Sequence, residues 1–362
     1  MMKLQSIRLK NFRSYSNADV FFSPDVNSIV GKNAQGKTNL IEAIYFACIG
    51  KSFRTSKEKE LIKWGEERAS ISIVAKNEFR EKKIDVILQK SQKKIVRMDG
   101  INIRRIGDVL GEVPIVFFSP DELKLVKESP EERRRFMNID ISQTNKRYFY
   151  LISRYEKILD NRNKLLKSTQ NKGVILETID IWNKALASAG LKIANERKQF
   201  IREIAPYAEK ANEFISNGEK LQIAYKGIDV ESEEEYIKKL EKSFDKDFKL
   251  GFTSYGPHRD DIDIFLNGVE VKSFGSQGQQ RTAALSLKLA ELEIIRERTG
   301  EYPILILDDV FSELDENRRK RLLKFTNRCQ TFITTTDINF TQSLANNIII
   351  DDGKISIAGH WQ

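Results

Sequence analysis

Between Gly31 and Thr38 the chain reads Gly-Lys-Asn-Ala-Gln-Gly-Lys-Thr, a spacing whose chemistry is the capture of a phosphate chain. The glycines let consecutive backbone N–H groups curl inward, and a helix opening at the end of the run adds the partial positive charge of its N-terminus. Lys37 is then placed to reach the β and γ phosphates of ATP, and Thr38 to offer its hydroxyl to Mg²⁺. Gly31, Lys32, Asn33, Ala34, Gln35, Gly36, Lys37 and Thr38 are therefore the candidate ATP contacts. A glycine-rich turn carrying a surface lysine is the plain alternative, and it leaves the strand before the loop and the helix after it unexplained.

A nucleotide loop needs an acidic counterpart, and Ile304-Leu305-Ile306-Leu307-Asp308-Asp309 supplies one: four apolar residues of a buried strand, then two carboxylates at its end. Asp308 is expected to hold Mg²⁺ through water. Asp309 stands where it can polarise an attacking water, although Asp is one methylene shorter than the Glu common at that place. Taken alone, the motif also fits a strand that simply ends in two solvated acids. Ser276-Gln277-Gly278-Gln279 precedes a helix running toward this strand, and Ser312-Glu313-Leu314-Asp315 follows it. A short Ser-Gly loop at a helix N-terminus is a second anion-binding element, or an ordinary N-cap by Ser276.

The elements around these motifs follow from periodicity. Residues 4–9, 18–22 and 27–30 read as strands, the last just before the phosphate loop, and Thr38 to Ile49 reads as a helix stopped by Gly50. Residues 69–75, 83–89 and 113–118 read as further strands, with Asp99-Gly100 a hairpin turn. From about Pro130 to Phe248 apolar residues recur three and four apart among many charges, so the middle is predicted helical. Breaks at Asn171-Lys172-Gly173 and Asn217-Gly218 limit its arms to a few tens of residues, a compact lobe rather than a long coiled coil. Residues 261–266, 303–307 and 331–335 return to strands, and 279–296 and 318–326 to helices. The expected organisation is an α/β phosphate-loop ATPase head in two halves, 1–130 and 249–362, interrupted by a helical lobe at 131–248.

Composition narrows the class. The chain has 362 residues, 40% hydrophobic and 31% charged, which places it among globular proteins with room for several lobes. No apolar run reaches the length of a membrane span, and Met1 to Lys10 carries no signal pattern, so a cytoplasmic location is expected. Cys48 and Cys329 are too few for a disulfide framework or a Cys-based zinc site. An excess of 61 Lys and Arg over 52 Asp and Glu gives +9, which favours polyanionic partners. Candidate DNA-phosphate contacts are Arg133, Arg134 and Arg135 and the lysines of the helical lobe, Lys164, Lys167 and Lys172. Each is equally a solvated helix charge, and Arg133 to Arg135 fit pairing with acids inside the head.

The order of phosphate loop, helical insertion, Ser276-x-Gly278-Gln279, Asp308-Asp309 and Ser312-x-Leu314-Asp315 resembles the ABC-type ATPase head of the SMC and Rad50 group, as does the opening Ile7-Arg8-Leu9-Lys10-Asn11-Phe12-Arg13-Ser14-Tyr15. Phe118-Ser119-Pro120-Asp121, Glu131 to Phe136, Gly256-Pro257-His258-Arg259-Asp260-Asp261 and Leu307 to Asp315 are similar, over essentially the whole chain, to the RecF family of bacterial recombination mediators. The short insertion agrees with that family. The resemblance implies an ATP-dependent homodimer in which Ser276, Gln277, Gly278 and Gln279 of one subunit reach the γ phosphate held by Lys37 of the other, with Asp315 helping to lock the heads together. It further implies a slow, DNA-stimulated ATPase that acts at single-strand gaps or single/double-strand junctions and helps load a recombinase. RecR is the implied partner, with RecO a second candidate, and the implied roles are DNA repair, replication and the SOS response.

Two departures bear on that resemblance. The only histidines are His258 and His360, so the switch position after the last core strand, at Thr335-Thr336-Asp337, holds none. Val116 to Asp121 lacks the usual metal-positioning Gln, for which Ser119 and Asp121 are the local substitutes. Both argue against a transporter subunit. An SMC-like structural DNA tether is the first rival reading, opposed by the short insertion. A phosphate-loop enzyme acting on a small substrate is the second, and no separate acceptor site supports it. The string His258-Arg259 is open between a structural turn with internal ion pairs and a substrate contact.

Overall fold

The structure, a computed structural model, describes residues 1–168, 171–216, 218–336, 346–351 and 353–358. It comprises two compact units: Met1–Glu122, Phe214–Asn217 and Leu285–Gln362 form one, and Leu123–Glu213 with Gly218–Ala284 the other.

Two six-stranded sheets build the first unit. Strands β1 (Lys3–Phe12), β2 (Tyr15–Phe21), β4 (Arg68–Lys76), β5 (Glu81–Gln89), β6 (Ile95–Met98) and β7 (Ile101–Ile103) pair antiparallel in the order β2-β1-β4-β5-β6-β7. Their alternation follows from one wet face: in β4, Ala69, Ile71, Ile73 and Ala75 are buried while the intervening residues are not. Asp99 and Gly100 close the β6–β7 hairpin with positive φ at both positions, as a tight hairpin turn demands.

The second sheet runs β15-β14-β3-β13-β12-β8 and contains β3 (Val26–Val30), β8 (Ile115–Phe118), β12 (Ile304–Asp308), β13 (Thr331–Thr335), β14 (Asn346–Asp351) and β15 (Lys354–Ala358). All neighbours are parallel except β14 and β15. Every residue of β3, β8, β12 and β13 is buried, the pattern of parallel strands covered on both faces. Helix α1 (Lys37–Ile49) follows β3 and is buried on nearly every side, which explains its apolar run Ala43–Ile49; Gly50 ends it in the left-handed conformation. Helix α10 (Glu316–Thr326) follows β12.

The second unit is mostly helical. It holds α2 (Lys124–Lys127), α3 (Pro130–Thr144), α4 (Lys146–Ser168), most of α5 (Lys172–Ser216), α6 (Glu233–Lys242), α7 (Phe244–Leu250) and α8 (Val271–Phe274), and the boundary between units falls within α9 (Gln277–Thr299). The 45 residues of α5 span about 68 Å at 1.5 Å per residue. Leu165, Leu166, Ile175, Ile179, Phe244 and Phe248 pack together beside the junction of α4 and α5.

Two expectations change here. The segment 131–248 is not wholly helical, because Leu221–Lys226 forms strand β9, which pairs antiparallel with β10 (Asp261–Leu266); β11 (Val269–Glu270) completes a three-stranded sheet. That pairing keeps residues 218–284 in the second unit, so the return to the first unit comes near residue 285 instead of 249. A six-residue strand set between long helices carries too little periodicity to stand out, and its partner lies 35 residues further on.

Candidate functional site

The parallel sheet brings the motifs of the first unit to one edge. Ligands of such sheets bind beyond the C-terminal ends of the strands, and there Val30 ends β3, Thr335 ends β13 and Asp308 ends β12. Register places Val30 opposite Thr335 and Asp308 opposite Thr334. The phosphate loop therefore lies two strands from the paired carboxylates, with β13 between them.

The loop has the backbone its glycines permit. Gly36 has φ 114°, the left-handed region that favours glycine, and its carbonyl accepts a 2.9 Å hydrogen bond from the Tyr15 hydroxyl. At Gly31 a side chain would begin 2.4 Å from the Ile350 carbonyl oxygen, so only glycine fits beside β14. Lys37 is folded onto its own loop, its Nζ donating to the carbonyls of Gly31 (2.5 Å) and Lys32 (2.9 Å). Burial lowers its pKa, opposed by the nearby charges of Asp309 and Asp308. An anion arriving at the loop would give this desolvated ammonium a charged acceptor in place of its two carbonyls.

Asp308 is the buried carboxylate of the site. Its Oδ1 accepts from the Thr334 hydroxyl at 2.6 Å and lies 3.4 Å from the Thr38 hydroxyl. Burial raises its pKa, with Thr334 and Thr38 opposing the shift. Asp309 takes φ 54°, a left-handed conformation held by its own N–H donating to Thr334 Oγ1 at 2.8 Å and by Ser312 Oγ donating to its carbonyl at 2.8 Å. Thr334 thus bonds both aspartates, and sequence reasoning passed over it in favour of Thr335 and Thr336. The available signal was the parallel pairing of β13 with β12, which local sequence does not carry.

These residues suit a divalent cation. A desolvated carboxylate and a hydroxyl are hard oxygen donors, and with only two protein ligands the metal would share its shell with phosphate oxygens and water. Among the described residues no three His, Cys, Asp or Glu side chains cluster as a metal site of their own. Ser119, buried, follows Phe118, which pairs with Leu307, so it lies at the level of Asp308; Asp121 is exposed. Asp337 and His360 lie outside the described residues.

The other predicted positions resolve as follows. Ser276 caps α9: its Oγ accepts from Gln279 N (3.2 Å) while Gln279 Oε1 accepts from Ser276 N (2.9 Å), a reciprocal box at the helix start. Gln277 and Gly278 form the first turn, in the second unit. Asp315 caps α10, accepting from Arg318 N at 2.9 Å. Arg133 is corrected: it is 3% exposed and grips Asp261 through Nε (2.5 Å) and NH2 (3.1 Å), with NH1 on two backbone carbonyls, so it is a structural ion pair and not a surface contact. Arg134 is half-buried on the Asp260 carbonyl, Arg135 is exposed beside Glu132, Lys164 pairs with Asp160, Lys167 is exposed, and Lys172 pairs with Asp245.

The string from Gly256 to Asp261 is held by internal ion pairs. Arg197 bonds Asp260 Oδ2 at 2.7 Å, both buried, and the Tyr225 hydroxyl donates to the same oxygen at 2.6 Å. His258 Nδ1 meets the Tyr155 hydroxyl at 2.7 Å and its Nε2 faces the Thr253 carbonyl at 2.9 Å; burial pushes its pKa down to about 4.

Comparison with known proteins places this arrangement. Residues 3–354 match the family model described as RecF/RecN/SMC N terminal domain. The chain is 44% identical over 342 residues to the DNA replication and repair protein RecF of Clostridium perfringens strain 13, covering 93% of this chain and 94% of that protein. This chain belongs to the RecF family. A second RecF relative, from Alkaliphilus oremlandii, is 44% identical over 345 residues, with 92% and 93% of the two chains covered. Among solved structures, the recombination mediator protein RecF with ATP, of the RecFOR pathway, superimposes with a TM-score of 0.90 at 37% identity, covering 99% of this chain and 98% of that one. The Smc head domain of Pyrococcus furiosus shares the fold at a TM-score of 0.59 and 18% identity, covering 99% and 96%. The fold is thus the α/β ATPase head common to RecF and SMC proteins. No helix among the described residues is long and apolar enough to cross a membrane.

Proposed function

We propose that this chain is an ATP-dependent DNA-binding switch of recombinational repair. The observation that carries the reading is the convergence of Lys37 and Thr38 of α1 with Asp308, which ends β12, and Asp309, which follows it, at one sheet edge, in a chain whose RecF relatives are named for DNA replication and repair.

ATP enters with its phosphates over the loop amides, and Lys37 exchanges the carbonyls of Gly31 and Lys32 for β and γ oxygens. Thr38 and Asp308 would hold Mg²⁺, which when bound neutralises phosphate charge. In hydrolysis a water oxygen bonds to the γ phosphorus and the bond to the bridging oxygen breaks, leaving ADP and phosphate. Asp309 accepts hydrogen bonding from that water and takes its proton. Ser276 to Gln279 open α9, and a second subunit's γ phosphate would take the helix N-terminus in exchange for the Ser276–Gln279 box. ATP then acts as the joint of a homodimer that closes on gapped or junction DNA and opens on slow hydrolysis. RecR, and through it RecO, are the partners such a cycle serves, in the cytoplasm and under DNA damage.

A gel-shift titration of gapped DNA with and without ATP tests the reading. ATP-dependent retention is expected; indifference to DNA under both conditions defeats it.

A further inference from the structure

The box that closes the start of α9 is held from a third side. Gln279 Oε1 accepts from Ser276 N, and Gln279 Nε2 donates to Glu219 Oε1 at 2.7 Å. A carboxylate accepts and a backbone N–H donates, so the two partners together fix which way the carboxamide faces. Its nitrogen is turned to Glu219 and its oxygen to the Ser276 N–H. Glu219 in turn is carried on a fixed support within the second unit. Its carbonyl accepts from the fully buried Asn212 at 2.8 Å. The next residue, Lys220, donates its N–H to Asn267 Oδ1 and accepts from Asn267 N, both at 2.9 Å. Leu221 then enters β9 opposite Leu266.

We propose that Glu219 is a brake on the ATP-dependent pairing of two subunits, acting through Gln279, an inference that rests on the shared-site reading above. For a second subunit's γ phosphate to reach the start of α9, the Gln279 oxygen must leave it, because that oxygen occupies the Ser276 N–H and repels an anion. Turning the carboxamide over would present its N–H donors to the phosphate instead. With Glu219 in place, the same turn sets Gln279 Oε1 against a carboxylate, two acceptors with no proton between them. Glu219 thereby holds the repulsive face of Gln279 on the anion's place. It is a positioning residue, since it works through the side chain that meets the phosphate.

The test is sedimentation velocity over a protein concentration series with Mg²⁺ and a non-hydrolysable ATP analogue, comparing the wild-type chain, Glu219→Gln, Gln279→Ala and the double variant. Glutamine at 219 keeps the size of the side chain, loses the charge and can donate as well as accept, so Gln279 is released to turn. Glu219→Gln is expected to dimerise at about tenfold lower protein concentration, the effect of one hydrogen bond to a charged group. Its affinity for the analogue as a dilute monomer and its melting temperature are expected to match wild type. A purely structural role would instead weaken pairing and lower the melting temperature. Added to Gln279→Ala, the same change should leave dimerisation as it is, because a residue acting through Gln279 has no effect without it. A Glu219→Gln chain that pairs at the wild-type concentration or a higher one overturns the brake and leaves the shared site standing, as does an equal gain in the Gln279→Ala background. If neither the wild-type chain nor any variant dimerises with the analogue bound, the shared-site reading falls and the brake with it.

Discussion

Replacing Thr334 by Val removes one hydroxyl at nearly constant volume and disturbs Asp308 and Asp309 at once. The hydroxyl donates to Asp308 Oδ1 at 2.6 Å and accepts from Asp309 N at 2.8 Å, in a residue that is 1% exposed. A hydrogen bond to a charged group contributes about 1.5–3 kcal/mol, and about 1.4 kcal/mol is tenfold in affinity. The metal-dependent part of nucleotide binding should therefore weaken by about 10- to 100-fold, the range in which losing an outer-shell partner of a metal ligand falls. Binding of ATP without Mg²⁺, which rests on Lys37 and the loop amides, should hold. The defect should deepen as pH is lowered: the Thr334 bond opposes the upward shift of Asp308, and without it protons compete better with metal. Calorimetric titration of ATP with and without Mg²⁺, at two pH values, measures each part, with Thr334→Ser as the variant that keeps the hydroxyl. A folded Thr334→Val protein with wild-type Mg²⁺ dependence would refute the role assigned to this residue.

Other outcomes follow from the same geometry. Ser276→Arg should bind ATP normally yet fail to dimerise on it, and sedimentation showing ATP-dependent dimers would remove the shared-site reading. Asp309→Asn should slow phosphate release by 100-fold or more, about the effect of losing a catalytic proton acceptor, while the ATP-bound dimer accumulates; unchanged turnover excludes Asp309 as the base. His258 is held neutral, with its pKa lowered to about 4 against an unfolded value near 6.5. Its contribution to stability is complete above about pH 6.5 and is lost as pH falls toward 4, reaching about 3 kcal/mol. Urea unfolding of His258→Gln should show a correspondingly shallower loss between pH 7 and 4.5, and identical pH profiles for the two proteins would count against a buried neutral imidazole.

Much of the ATPase head was legible because its signals are local. The phosphate loop needs glycines and a Lys-Thr pair within eight residues, and the structure places that run between β3 and α1, with the helix starting at Lys37. The Asp308-Asp309 pair could be found because a strand buried on both faces is a continuous apolar run. The strand at Leu221–Lys226 could not, since its identity depends on a partner beyond two helices. Nor could the fate of three adjacent arginines: identical in type, they divide into a buried ion pair, a half-buried backbone contact and an exposed side chain by their angle around α3.

By itself, then, the sequence determined the α/β class and where the glycine-rich loop and the paired acids stand between strand and helix, all of which depend on residues adjacent in the chain. Tertiary structure alone decided that Thr334 bridges Asp308 and Asp309, that Arg133 serves Asp261, and that Lys94 bonds Glu58. The physical reason is common to all three. Strand register and sheet order bring together groups tens to hundreds of residues apart, and only there does a hydroxyl meet its carboxylate or a charge lose its water.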